Sequence, residues 1–223
     1  MTDQVRTEET IQPDNSGTSV FDPTRFKIIA IGVIAALAGL MSGLDIGVVA
    51  GALDLIGQEF HASTLALEWV VSSMMAGAAA GALGAGWLSH HLGRKRSLIL
   101  GAAVFVVGTL GCAMGWSLPS IIVFRVIMGI AVGISAFTAP LYLSEIASEE
   151  SRGAMVSTYQ LMVTVGIFVA FLSDTYFSYS ENWRWMFGVA GIPAGLFLIG
   201  VLFLPYSPRW RIMRGRHKEA RAI

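Results

Sequence analysis

Apolar residues in this chain fall into long continuous blocks, and six such blocks follow one another with little between them. They lie near residues 27–52, 67–89, 97–116, 120–144, 154–176 and 184–204. A helix needs about 20 apolar residues to cross the roughly 30 Å hydrocarbon core of a bilayer, and each block meets that length. Short polar punctuation separates them, at Gln58-Glu59-Phe60-His61, His90 to Arg96, Trp116-Ser117-Leu118-Pro119, Ser148 to Arg152 and Ser178 to Asn182. No gap is wide enough for a second soluble domain. The pattern predicts an all-α membrane protein with six transmembrane helices over residues 25–205. A polar cytoplasmic tail (1–24) precedes the bundle, and the start of a cytoplasmic helical linker (206–223) follows it.

Composition agrees with lipid as the main solvent. The chain is 54% hydrophobic and 13% charged, with mean hydropathy +0.65, whereas soluble domains carry about a quarter charged residues. Its formal net charge of zero offers neither a nucleic-acid footprint nor a general polybasic anchor. The one cysteine, Cys112, sits in an apolar block and reads as a small buried residue, so no intramolecular disulfide is expected. Residues 1–24 are rich in Thr, Asp, Glu and Gln and lack the apolar core of a signal peptide. They read as a disordered tail, with the first helix as the insertion signal.

The placement of positive charge sets orientation, because cytoplasmic loops collect Lys and Arg near helix ends. Arg25 and Lys27 precede the first block, Arg94, Lys95 and Arg96 follow the second, and Arg152 follows the fourth. Arg209, Arg211, Arg214, Arg216, Lys218 and Arg221 follow the sixth. The loops after the first and third blocks contain no Lys or Arg. Both termini are therefore expected in the cytoplasm.

Glycines recur at spacings of four: Gly43, Gly47 and Gly51, then Gly77 and Gly81, Gly129 and Gly133, and Gly191 and Gly195. This places small residues on one helix face, where backbones can approach closely. The first and fourth helices also share a buried charge, as an inverted three-plus-three repeat would arrange.

Those two charges carry the main chemical signal. Asp45 in helix 1 and Arg125 near the start of helix 4 each cost about 2.5–3.5 kcal/mol on insertion scales, so each needs a partner. At 1.5 Å per residue both lie on the order of 10 Å below the outer surface, at matching depth and with opposite sign. Either Asp45 binds a coupling proton with Arg125 favouring its release, or the two form a permanent ion pair that staples helices. Gln160 in helix 5 suits sugar hydroxyls or an interhelical hydrogen bond equally. Glu145 at the cytoplasmic end of helix 4 reads as structural. Trp183 and Trp185 read as an aromatic belt around Arg184. His90 and His91 lack the spacing and further ligands of a metal site and read as solvated loop residues. No metal, cofactor or covalent chemistry is expected.

Several strings resemble the sugar porter family of the major facilitator superfamily. Gly-Trp-Leu-Ser-His-His-Leu-Gly-Arg-Lys (86–95) is similar to the superfamily's loop signature between helices 2 and 3. Pro-Leu-Tyr-Leu-Ser-Glu (140–145) with Arg152-Gly153 resembles the family's helix 4 to 5 segment, and Pro205-Tyr206-Ser207-Pro208-Arg209-Trp210 its motif after helix 6. Trp69 to Met75, Thr138 to Ala147, Gln160 to Thr164 and Asn182 to Met186 look closest to bacterial arabinose:proton and galactose:proton symporters.

The resemblance implies the amino-terminal half of a twelve-helix transporter that imports a pentose or hexose with a proton and is not an enzyme. Asp45 then falls on the family's proton site, Arg125 on its partner and Gln160 on a sugar contact. Arg94, Glu145, Arg152 and Arg209 fall on a cytoplasmic charge network that latches the outward-open state. Three departures stand out: His90 for the usual acidic residue, Ser42 for Phe beside the sugar, and Tyr206 for Glu or Asn. The chain stops just after helix 6, so the expected partners are the sugar, the proton, the bilayer and a carboxyl-terminal six-helix half. The alternatives are a truncated, transport-incompetent six-helix scaffold and a pore made from two copies.

Overall fold

The computed structural model describes residues 23–146 and 149–204. Its helices are α1 (Pro23–Glu59), α2 (Thr64–Leu92), α3 (Arg94–Ala113), α4 (Leu118–Ile146), α5 (Glu149–Ser178) and α6 (Trp183–Phe203). Each contains a stretch long and apolar enough to cross a membrane. Of the expected tail, residues 23 and 24 belong to α1, and 1–22 lie outside the described residues, as does the expected linker.

The helices overrun the apolar blocks because a hydropathy window sees only the lipid-matched part of a helix, whereas backbone hydrogen bonding continues into polar sequence. α1 thus runs on to Glu59, and α2 continues through His90 and His91, which are exposed residues of its last turn instead of loop residues. Arg94, Lys95 and Arg96 form the first turn of α3, and Arg152 lies within α5. Only Gly93 separates α2 from α3, with φ 87° and ψ 155°. That combination is open essentially to glycine alone. At the opposite end, Ser63 caps α2 by accepting the Ala66 N–H at 3.3 Å.

Packing exchanges partners between the two halves of the bundle. α1 lies along α5 and α4 along α2, while α3 and α6 pack on each other and on the far sides of α4 and α1. This is the crossed pairing an inverted repeat of α1–α3 and α4–α6 produces. Trp183, Phe187 and Phe197 of α6 and Phe105 of α3 are among the largest fully buried side chains of the core.

The glycine stripes explain how closely the paired helices approach. A methyl group at Gly43 would strike the Val163 carbonyl of α5, and one at Gly77 or Gly81 the carbonyls of Val126 or Ile130 in α4. Gly129 and Gly133 return the contact against Met74 and Ala78. In lipid, where no hydrophobic force drives helices together, this backbone contact supplies the packing. The spacing misleads in α6, where a methyl at Gly195 would meet nothing within 4 Å.

Candidate functional site

Arg125 sits about two turns into α4 and turns inward to join three helices. Its Nη1 donates to Asp45 Oδ1 of α1 at 2.9 Å, and its Nε donates to the Val70 carbonyl of α2 at 3.2 Å. Both side chains are sealed, with 2% of Arg125 and none of Asp45 exposed. The other carboxylate oxygen, Oδ2 of Asp45, has no hydrogen-bond partner. The glycine contacts at Gly43 and Gly47 hold this part of α1 against α5. Matching depth in the sequence therefore corresponds to direct contact. Ser42, next to this region, is buried and donates to the Ala38 carbonyl at 3.0 Å.

Gln160 is exposed on the open side of α5. Along that helix Thr164, Phe168, Phe171 and Thr175 are also exposed and recur at helical spacing, so they share its face. Ile46, Ala50 and Asp54 form a matching open stripe on α1. Gln160 is exposed on this open face whereas the ion pair is sealed, so the structure does not assemble the three residues into one closed site.

At the opposite membrane side Arg94 at the start of α3 pairs with Glu145 near the end of α4. Nη2 and Nε reach Glu145 Oε1 at 2.7 and 2.9 Å, and Nη1 donates to the Ser89 carbonyl of α2 at 3.3 Å. Lys95 caps the end of α6 by donating to the Leu202 carbonyl at 2.8 Å. The side chain of Arg152 and all of Arg209 lie outside the described residues. Glu145 thus has an ion-pair partner, whereas chain position alone marked it only as structural.

Two features escape the sequence reading. Trp183 is buried, not part of a belt; its indole N–H donates to Glu59, and its ring packs near Phe60 and Phe187. Arg184 grips the same carboxylate with two N–H···O bonds of 2.9 and 2.7 Å, lies over the Trp183 ring at 4.3 Å and reaches the Gly115 carbonyl at 3.2 Å. Trp185 is exposed, as a belt residue would be. The second feature is Asp174 of α5, a buried carboxylic side chain wedged against Gly51 of α1. Its position near the end of an apolar block makes it look interfacial in the sequence. Among the described residues no cluster of His, Cys, Asp and Glu fit for a metal is present.

Comparison with known proteins yields a consistent set. A family model described as "Sugar (and other) transporter" matches residues 31–223. The chain is 55% identical over 219 residues to the arabinose-proton symporter of Escherichia coli K12, covering 98% of this chain and 45% of that protein. It is 58% identical over 190 residues to the galactose-proton symporter of the same strain, covering 85% of this chain and 41% of that protein. The solved structure of the proton:xylose symporter XylE bound to 6-bromo-6-deoxy-D-glucose matches with a TM-score of 0.83 at 27% identity. The match covers 89% of this chain and 49% of the other. The chain thus spans about half the length of these relatives.

Proposed function

Because the chain belongs to the sugar transporter family, we propose that it supplies the amino-terminal half of a sugar–proton symporter for a pentose or hexose such as arabinose or galactose. The observation that carries this reading is the sealed Asp45–Arg125 pair, in which one carboxylate oxygen is bonded at 2.9 Å and the other has no partner. A proton added at Oδ2 removes the charge that holds Arg125 and so frees α1 from α4. Energy for uphill sugar movement then comes from the proton, with no cofactor and no covalent step.

Six further helices complete the transporter in this reading, because a sugar site at the midplane is shared between two halves. The open face of α1 and α5 with Gln160 is the part of the sugar site that this chain contributes. Alternating access is a rocking of the halves, with Asp45 protonation biasing one state over the other. Arg94 and Glu145, together with Arg152 and Arg209, act on the cytoplasmic side as the latch of the outward-open state. The excess of Lys and Arg there supports an inner-membrane orientation with both termini in the cytoplasm.

The test is uptake of labelled arabinose and galactose in transport-deficient cells, with external pH recorded. The chain is expressed alone or with the carboxyl-terminal half of the E. coli arabinose-proton symporter. Accumulation with external alkalinisation in the paired arrangement, abolished by Asp45→Asn, is the expected result. Full membrane insertion without uptake in either arrangement would overturn the reading in favour of an inert scaffold.

A further inference from the structure

Asp174 presents a problem the coupling pair does not solve. It is 5% exposed, and neither Oδ1 nor Oδ2 has a hydrogen-bond partner. The backbone of Gly51 is the polar group that faces it, without hydrogen-bond geometry. No side chain fits between them, since a methyl at Gly51 would lie 2.5 Å from Cβ, Cγ and Oδ2 of Asp174.

Charged groups on the neighbouring elements do not compensate it. α1 offers Asp54 and Glu59, which share its sign, and Glu59 is taken by Arg184. On α6 Arg184 is committed to that pair, and on α4 Arg125 is committed to Asp45. Glu181, in the turn after α5, is again acidic. Asp174 is in none of the ion pairs among the described residues. An isolated carboxylate in such surroundings costs several kcal/mol or more, and the usual resolution is that the group neutralises by taking up a proton.

The site also has a route to water. An open groove of about 320 Å³ runs beside it, lined by Ala50, Gly51, Phe171, Asp174, Thr175 and Ser178. The hydroxyls of Thr175 and Ser178 already donate to backbone carbonyls, at 2.8 and 2.9 Å, so they turn acceptor lone pairs outward. This groove lies on the same open face as Gln160, fourteen residues and about 21 Å further along α5.

From this arrangement we infer that Asp174 is a second proton-binding site, holding its proton in the slot against Gly51 and exchanging it with water in the groove that the same carboxyl lines. The step is a simple exchange. An O–H bond forms on one carboxylate oxygen with a proton from water in the groove, and the same proton returns to water when the carboxylate is solvated. The proton's use in transport rests on the proposed symport, but its binding does not.

Infrared spectra of the chain in lipid nanodiscs at neutral pH read the carboxylic-acid C=O band directly, without transport. Asp174→Asn keeps the shape and is expected to lose one carboxylic-acid band. Gly51→Ala pushes Asp174 out of its slot and is expected to lose part of that band with a matching gain of carboxylate absorption. An Asp174→Asn spectrum unchanged in the acid region would overturn the inference, as would a band indifferent to Gly51→Ala in a folded protein. If Asp174→Asn fails to fold, Asp174→Leu gives the same subtraction without needing a hydrogen bond. Neither outcome depends on sugar uptake, so this inference and the symport reading fail separately.

Discussion

Two arginine–carboxylate pairs in this molecule use the same chemistry in opposite surroundings. Arg184 and Glu59, at the start of α6 and the end of α1, meet through two N–H···O bonds, and about 40% of each side chain is exposed. Arg125 and Asp45, between α4 and α1, meet through one such bond and are sealed. The better geometry belongs to the pair with less at stake. Exposed pairs contribute roughly 0–1 kcal/mol because water and salt compete for both charges. A buried pair broken by losing one partner costs about 3–5 kcal/mol, because the other charge is stranded. In the proposed symport the imperfect pair is the one whose protonation moves helices, whereas the well-formed pair acts as a clamp.

The largest expected effect comes from stranding a charge. Arg125→Leu leaves Asp45 without its cation and should destabilise the purified protein by about 3–5 kcal/mol, seen as a fall in thermal melting temperature. Adding Asp45→Asn to Arg125→Leu removes the stranded charge and should restore much of the loss. Equal melting of the single and double variants would mean that the pair holds little energy.

Next in size is the scaffold that seals the pair. Gly43→Val drives a side chain into the α5 backbone at Val163, and overpacking of this kind costs about 1–3 kcal/mol or more. Gly195→Ala points into open space and should stay within about 0.5 kcal/mol of the parent. Comparable losses at both positions would show that glycine spacing alone, not contact, matters. Gly93→Ala forces an L side chain into a conformation open essentially to glycine and should cost on the order of 1–3 kcal/mol by thermal melting.

The smallest effect sharpens the contrast directly. Glu59→Gln removes the charge of the exposed clamp but keeps a hydrogen-bond acceptor, so melting should fall by no more than about 1 kcal/mol. High salt should shrink even that difference, whereas it should leave the Arg125→Leu penalty nearly unchanged. A salt-sensitive Arg125→Leu penalty would place that pair in water.

The parts of this structure legible in the sequence are those governed by long-range physical constraints. Block length counts the helices because a bilayer fixes how far each must run, and the cost of Asp45 and Arg125 in lipid requires them to meet. Helix ends were less legible, since His90, His91 and Arg94 to Arg96 remain helical in polar sequence. Trp183 was misread, and Asp174 passed over, for a related reason. Both lie near the edge of an apolar block, where chain position says "interface", and only the packing of α1 against α5 and α6 reveals that they are buried. The Arg94–Glu145 contact came from family resemblance, not from any spacing, because it joins residues 51 positions apart.

The central claim, that Asp45 couples proton to sugar, is tested most directly by separating exchange from accumulation. Membrane vesicles carrying this chain with the complementary half are loaded with unlabelled sugar, and labelled arabinose or galactose is followed with and without an imposed pH gradient. In Asp45→Asn the account predicts that labelled sugar still exchanges, while pH-driven accumulation is lost. Accumulation driven by the pH gradient in Asp45→Asn would contradict it and leave the buried pair as a staple between helices.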